Sequence, residues 1–215
     1  MAKAIYKING KDFRETLYAI VSGAEGLFDN LQIKDVQIDD NPGQHGSLAD
    51  LSGVRYEARQ ITLHIYFYVL SGTARSKRES FIAEFVGPTP KRLERMEGSE
   101  VRVWDVILSN GASLNTIKTK LEELTLKLIE LAPIKVVYTV AGSTASFTLS
   151  PKVSGQTQQP VLISWGDGSF SDNCRNGSVS KVYTDGKTTH HVILSGVMEE
   201  VTVTTAHTKL YEVKY

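Results

Sequence analysis

Alternation of apolar and polar residues is the dominant hydropathy pattern, and its longest example spans residues 61–69. One face carries Ile61, Leu63, Ile65, Phe67 and Val69, and the other carries Thr62, His64, Tyr66 and Tyr68. A period of two over residues rich in β-branched and aromatic types predicts a central β-strand. The tyrosine-bearing face is apolar enough that we expect it to be covered as well.

Shorter apolar segments predict further strands, and Gly, Asn, Asp or Pro separates most of them. The predicted strands are Ala4–Ile8, Leu31–Ile38, Val101–Leu108, Ile134–Val140, Ala145–Leu149, Val161–Trp165, Val179–Tyr183, His190–Leu194 and Val201–Thr205. The pattern therefore indicates a mainly β protein.

One helix is predicted shortly after residue 75. Ser76 and Glu79 have the spacing of a capping box, in which each side chain bonds a free backbone N–H of the first turn. An apolar stripe follows, and Gly87-Pro88 supplies a stop because proline cannot continue a helix. The stripe consists of Phe81, Ile82, Phe85 and Val86. One helix among many strands indicates a β-sandwich or barrel with the helix packed on it.

Residues 114–131 fit two interpretations. The apolar positions Leu114, Ile117, Leu121, Leu124, Leu128 and Leu131 have helical spacing, whereas Leu124, Leu126 and Leu128 alternate as in a strand. Helix propensity favours the first interpretation, since Glu, Lys and Leu are good helix formers. The residues alone leave both open.

Composition and charge exclude several classes of protein. Hydrophobic residues make up 41% of the 215 and charged residues 22%, which excludes global disorder. The 24 basic and 24 acidic residues balance, so we expect no specific nucleic-acid binding. No apolar run reaches the length of a membrane helix, and the first residues lack the apolar segment of a secretion signal, so we expect no membrane association and a cytoplasmic location. Cys174 is the only cysteine, which excludes an intrachain disulfide.

No constellation of side chains predicts catalysis, a cofactor or a metal site. His190 and His191 are adjacent, so on a strand they point to opposite faces and cannot chelate one ion together. Ser195 lacks a nucleophile-elbow sequence, and no phosphate-binding glycine loop occurs. The aspartates do not follow the ligand spacing of a calcium loop. We expect a protein that is not an enzyme and that holds no cofactor or metal.

A composition change near residue 141 predicts a domain boundary. Ala141-Gly142-Ser143-Thr144 is small and polar, and long charged side chains become sparse after it. We expect one domain at 1–140 and a second at 141–215. Within the first, Gly43, Gln44, His45 and Gly46 form a glycine-rich loop that we interpret as a contact loop.

The second domain resembles a PKD-type immunoglobulin-like domain. The strand Val161–Ser164 runs into Trp165-Gly166-Asp167-Gly168, and Tyr183 follows later, before a glycine turn and a closing strand. The pattern departs from that family at Lys181-Val182, where His-Thr usually precedes the tyrosine. The resemblance implies a small sandwich in which Gly166, Asp167 and Gly168 form a turn beside a core of Trp165 and Tyr183. Modules of this type mediate contacts and spacing.

The first domain resembles phage distal tail and baseplate proteins in the order of its segments. An early Asn9-Gly10 turn and the Gly43–Gly46 loop precede the long strand that opens at Arg59-Gln60; the helix and the stretch 124–133 follow. The resemblance implies that 124–133 is a strand. It also implies a homo-oligomeric ring, commonly a hexamer, that binds other tail or baseplate proteins and ends in the virion tail of a phage or prophage.

An alternative function follows from the second resemblance alone. The PKD-like domain would then be a non-enzymatic glycan- or protein-binding module, with residues 1–140 as its scaffold.

Overall fold

The computed structural model describes residues 4–34, 38–39, 48–49, 55–69, 73–109, 113–118, 120–153 and 160–214. These residues form eighteen strands, one α-helix and a short 3-10 helix at Met198–Glu200. The mainly β fold class predicted from the hydropathy pattern is confirmed. Among the described helices, none is long and apolar enough to cross a membrane.

An eight-stranded antiparallel sheet, here called the barrel sheet, forms the first part of the chain. Its strands are β1 (Ile5–Ile8), β2 (Lys11–Asp12), β3 (Ala19–Glu25), β6 (Arg59–Tyr68), β7 (Lys91–Glu97), β8 (Glu100–Leu108), β9 (Ser113–Lys118) and β10 (Leu121–Glu130). They lie in the order β2, β1, β7, β8, β10, β6, β3, with β9 also paired to β10. Among the described strands, the short β4 (Ile38–Asp39) and β5 (Leu48–Ala49) pair with each other and with no other.

The barrel sheet curls until its two edges approach each other. Ile5 of β1 and Ile20 of β3 line the same cleft, of about 270 Å³. Phe13 bridges the edges: its N–H donates to the carbonyl of Tyr6 (2.9 Å), and its carbonyl accepts from the N–H of Ala19 (2.8 Å). The predicted "sandwich or barrel" is therefore a nearly closed barrel in this part of the chain.

The central strand predicted at 61–69 is β6, and its apolar face is fully buried. Its other face is half-buried, and Tyr68 at its end is 54% exposed. No described part of the chain covers this face completely, so the expectation that it would be covered is not met within one subunit.

The α-helix, α1 (Ala74–Ala83), begins three residues earlier than the capping-box spacing predicted. Thr73 is the N-cap, and its hydroxyl accepts from the N–H of Ser76. Phe81 is fully buried, with its ring centroid 4.9 Å from that of Phe13 and 5.4 Å from that of Phe67. The predicted stripe thus packs into the barrel core through Phe81, whereas Val86, beyond the helix end, is 60% exposed.

The ambiguous segment 114–131 contains two strands, β9 and β10. β10 covers most of the stretch 124–133 that the tail-protein resemblance implied to be a strand, but it ends at Glu130. β10 pairs with β6 over ten residues, from Leu121 opposite Tyr68 to Glu130 opposite Arg59. Its alternate side chains reach the core, so alternation determines the structure here in spite of helix propensity.

Two further sheets pack as a β-sandwich in the second part of the chain. The strands are β11 (Lys135–Ala141), β12 (Thr144–Pro151), β13 (Val161–Ser164), β14 (Phe170–Cys174), β15 (Gly177–Val182), β16 (Thr189–Gly196), β17 (Val201–Thr204) and β18 (Thr208–Val213). The larger sheet has the order β14, β13, β16, β11, β18, and the smaller has the order β15, β12, β17. Phe147, Trp165 and Leu194 belong to the core between them.

The boundary predicted at 140–143 falls inside the sandwich. β11 pairs with β16 and with β18, so residues 135–141 belong to the larger sandwich sheet rather than to the first domain. The chain passes from the barrel sheet to the sandwich once, at residues 131–134. A third apolar cluster, of Val103, Val137 and Ile193, lies where β8 packs against the sandwich.

Candidate functional site

The Trp-Gly-Asp-Gly turn that joins β13 to β14 is built from its own backbone and side chains. Gly166 and Gly168 have φ values of +87° and +88°, a region that side chains with a Cβ disfavour. Asp167 Oδ1 accepts from the N–H of Ser169 (2.9 Å), and Oδ2 lies 3.0 Å from the ammonium of Lys181. Burial raises the pKa of Asp167, but the hydrogen bonds from Ser169 and the charge of Lys181 lower it further, so that it lies below its usual value. The carboxylate is therefore held as a structural anion.

The tyrosine of the PKD-like pattern, Tyr183, packs beneath this turn in the sandwich core and bonds its backbone. Tyr183 is buried, and its hydroxyl donates to the carbonyl of Trp165 (2.9 Å). Burial raises the pKa of Tyr183, so the hydroxyl remains a donor at neutral pH. Its ring stacks on that of His190 with centroids 3.6 Å apart, and His190 Nε2 lies 2.9 Å from Asp185. The structure thus brings together Trp165, Gly166, Asp167, Gly168 and Tyr183.

The histidines do not assemble a metal site in the part of the chain that the structure describes. His190 points into the sandwich, and His191 points to the opposite side, toward the barrel sheet. His207 Nε2 accepts from the N–H of Ser146 (3.0 Å). No three potential ligand side chains lie together among the described residues. Since the polar atoms of the turn mostly bond one another, its chemistry suits a rigid contact element.

The outward face of β3, β6 and β10 carries both polar and aromatic side chains, and we call it the tyrosine face. It carries Ile20, His64, Tyr66, Tyr68, Glu123 and Thr125. A hydrogen bond to the Glu123 carboxylate raises the pKa of Tyr66, and Thr125 Oγ1 lies 3.3 Å from His64 Nδ1. Tyrosine suits a surface that is partly hydrated and partly apolar, because its ring is apolar and its hydroxyl forms hydrogen bonds.

Sequence reasoning missed one neighbour of this face. Tyr18 precedes β3, is 48% exposed, and has a φ of +57°, a conformation that no alternation pattern signals. The ammonium of Lys77, on α1, lies 3.9 Å from its ring centroid. The predicted contact loop, Gly43, Gln44, His45 and Gly46, lies outside the described residues.

Comparison with solved structures gives a likeness of fold. No protein-family model matches the chain, and no curated protein matches it. A solved structure from the class of phage tail hub proteins does match, with a TM-score of 0.52 and 12% sequence identity, over 90% of this chain and 98% of the other. That protein is Dit of phage SPP1, described as a paradigm of the hub adsorption apparatus in phages that infect Gram-positive bacteria. At this identity the likeness establishes a shared fold.

Proposed function

We propose that the protein is a structural component of a bacteriophage or prophage tail, of the distal tail or baseplate type. The observation that carries the proposal is the fold likeness to Dit, which extends over nearly the whole of both chains. The resemblance of the segment order to tail proteins supports it from the sequence side. In this function the protein performs no chemistry and acts through the surfaces that it presents to its neighbours.

The proposed partners are other copies of the chain, arranged in a ring that is a hexamer in the common case, and adjoining tail or baseplate proteins. Exposed strand edges and a tyrosine-rich sheet face favour pairing with other chains. The barrel sheet supplies both, since β2 and β3 are its terminal strands and the tyrosine face is incompletely covered. Assembly would take place in the cytoplasm, and the product would be the virion tail.

The mass in solution tests this assembly, and we expect a defined oligomer in light scattering and rings in electron micrographs. Tyr68→Glu, on the tyrosine face, should shift the protein to the monomer, because it places a charge inside the proposed contact. Val182→Glu is the matched control: Val182 is 66% exposed, but on the sandwich, and its change should leave the oligomer intact. A monomer at every concentration, also in mixtures with adjoining tail proteins, would contradict the ring.

The contact loop remains part of the proposal. We expect His45→Ala to leave the melting temperature unchanged and to weaken assembly or partner binding. Gln158→Ala, in the polar stretch Gln156-Thr157-Gln158-Gln159 of the sequence, is the control and should affect neither. A metal-dependent activity that His45→Ala abolishes would contradict a contact function.

A second candidate function, glycan binding by the sandwich, is favoured by one observation. The outer face of the smaller sandwich sheet presents a nearly unbroken array of hydroxyl side chains and, among the described residues, no charged one. They are Thr144, Ser146, Thr148, Ser150, Ser178, Ser180, Thr202 and Thr204. A neutral polysaccharide matches such a surface in hydrogen-bonding capacity. Binding to neutral glycans that Ser146→Lys abolishes would support this candidate over a purely structural function.

A further inference from the structure

A single segment, residues 131–134, connects the barrel sheet to the sandwich. Two units joined in this way move relative to each other unless a substantial interface holds them. The contacts made by strand β8 show whether the two units move independently or are held together.

One edge of β8 loses its partner strand and is capped by side chains of the sandwich. β10 ends at Glu130, opposite Val106, so the backbone of Val103 has no strand beside it on that edge. Val103 is completely buried. Its N–H donates to Tyr211 Oη (2.9 Å), and its carbonyl accepts from Tyr211 Oη (2.8 Å) and from Lys135 Nζ (2.6 Å). Buried backbone groups need such partners, because leaving them unpaired costs about 1–3 kcal/mol each.

The same lysine is held by charges of the barrel sheet. Lys135 is 1% exposed and forms an ion pair with Glu130, whose other carboxylate oxygen lies 3.5 Å from Arg59 Nε. Burial lowers the pKa of Lys135 and raises that of Glu130, while the attraction between the two opposes both shifts. A buried charge whose partner is removed is strongly unfavourable, so the lysine can leave this position only with difficulty.

A second buried cation lies on the barrel sheet and binds groups of the sandwich. Arg92, on β7, binds Asp105 of the barrel sheet at 2.6 and 3.3 Å, and also donates to Ser164 Oγ (2.7 Å) and to the carbonyl of His191 in the sandwich. The apolar cluster that includes Val103 and Ile193 belongs to the same contact between β8 and the sandwich. Directional contacts from several strands therefore specify one relative orientation.

We infer that this junction fixes the sandwich on the barrel sheet, so that the chain moves as one rigid body although one segment joins its two parts. The angle at which the sandwich is presented is then a property of the single chain. This inference rests on the junction geometry and is independent of any tail function.

Pulsed electron spin resonance on the full chain tests it directly. Spin labels are attached at Arg75→Cys, on α1, and Ser180→Cys, on β15, with Cys174→Ala to remove the native thiol; both labelled positions are exposed and lie in regular elements. A rigid junction predicts one narrow distance distribution. Labelled chains are mixed with an excess of unlabelled chains, so that only distances within one chain are measured in any oligomer. A broad or multiple distribution would then overturn the inference without bearing on assembly.

Paired substitutions show whether the named contacts are responsible. Tyr211→Phe with Ser164→Ala removes a hydroxyl from each end of the junction, and we expect a broader distance distribution. Tyr183→Phe with Ser171→Ala removes two hydroxyls that bond Trp165 within the sandwich, and should leave the width unchanged. Equal widths in the junction pair and the parent would show that these contacts do not set the orientation.

Discussion

Cutting the chain at residue 141 should prevent the sandwich from folding, whereas cutting it at residue 131 should leave it folded. The first fragment is the second domain as the sequence predicted it; the second also contains β11. In the larger sheet β11 lies between β16 and β18, and it pairs with both. Without it, β18 loses its place in the sheet and the core loses one wall.

The expected loss is comparable to the whole stability of such a domain. β11 contributes three core side chains, Val136, Tyr138 and Val140, which are 5%, 8% and 0% exposed. At about 1.5–3 kcal/mol for each buried side chain, their removal costs about 4.5–9 kcal/mol. A domain of about 85 residues is stable by only about 4–13 kcal/mol in total. We therefore expect 141–215 to be unfolded and 131–215 to be folded, with reduced stability because its junction surface is exposed.

Thermal melts followed by circular dichroism, together with the dispersion of amide NMR signals, distinguish the two fragments. The fragment 131–215 should show β-type spectra and a cooperative melt, and 141–215 should show neither. A cooperative melt of 141–215 would refute the reasoning and support the boundary predicted from composition. If neither fragment folds while the whole chain is stable, the proposed division into two domains is incorrect.

Three further predictions concern single residues. Phe81→Ala should cost about 3–5 kcal/mol, or about 6–20 °C in melting temperature, whereas Phe28→Ala, at a ring that is 57% exposed, should cost far less; equal losses would mean that α1 is not docked in the core. Gly166→Ala should lower the melting temperature more than Gly168→Ala, because only at Gly166 would the added Cβ approach a backbone oxygen, at 2.7 Å. Folded Asp167 has a lowered pKa, so its contribution to stability is complete above the unfolded pKa of about 3.9 and is lost as pH falls through the folded value; unfolding curves of Asp167→Asn should lack this acid-sensitive part.

Strands with an undisturbed period of two were predictable from the sequence, and those with a disturbed pattern were not. β6 and most of the sandwich strands lie close to their predicted positions because one face of each is buried. β3 is rich in small residues, and five of the seven residues of β7 are charged, among them the buried Arg92. Neither β3 nor β7 was predicted. Small residues give β3 a weak hydropathy signal, and the hydropathy pattern treats the charged residues of β7 as solvent-exposed. At 31–38 the described residues form a single bridge, between Ile33 and Tyr56, and the first residue of β4, Ile38, which pairs with Ala49.

The sequence also did not show which strands lie beside each other in a sheet. The strand at 134–140 was predicted, but its alternation carries no information about which strands lie beside it, and the composition change placed it in the other domain. The junction was invisible for a related reason: Lys135 and Arg92 are recognisable as buried cations only when the strands that surround them are known. The turn at Trp165–Gly168 was predictable because its residues are adjacent and its glycines are required locally.

The most direct test of a tail function is the position of the protein in a virus particle. Antibodies raised against the purified chain, with gold-labelled secondary antibodies, can be applied to particles from an induced culture of the strain that encodes it. The account predicts gold at one end of the tail, at the tip opposite the capsid, and none on the capsid. Label confined to capsids, or intact tailed particles that carry none after their proteins have been exposed by mild disruption, would contradict it.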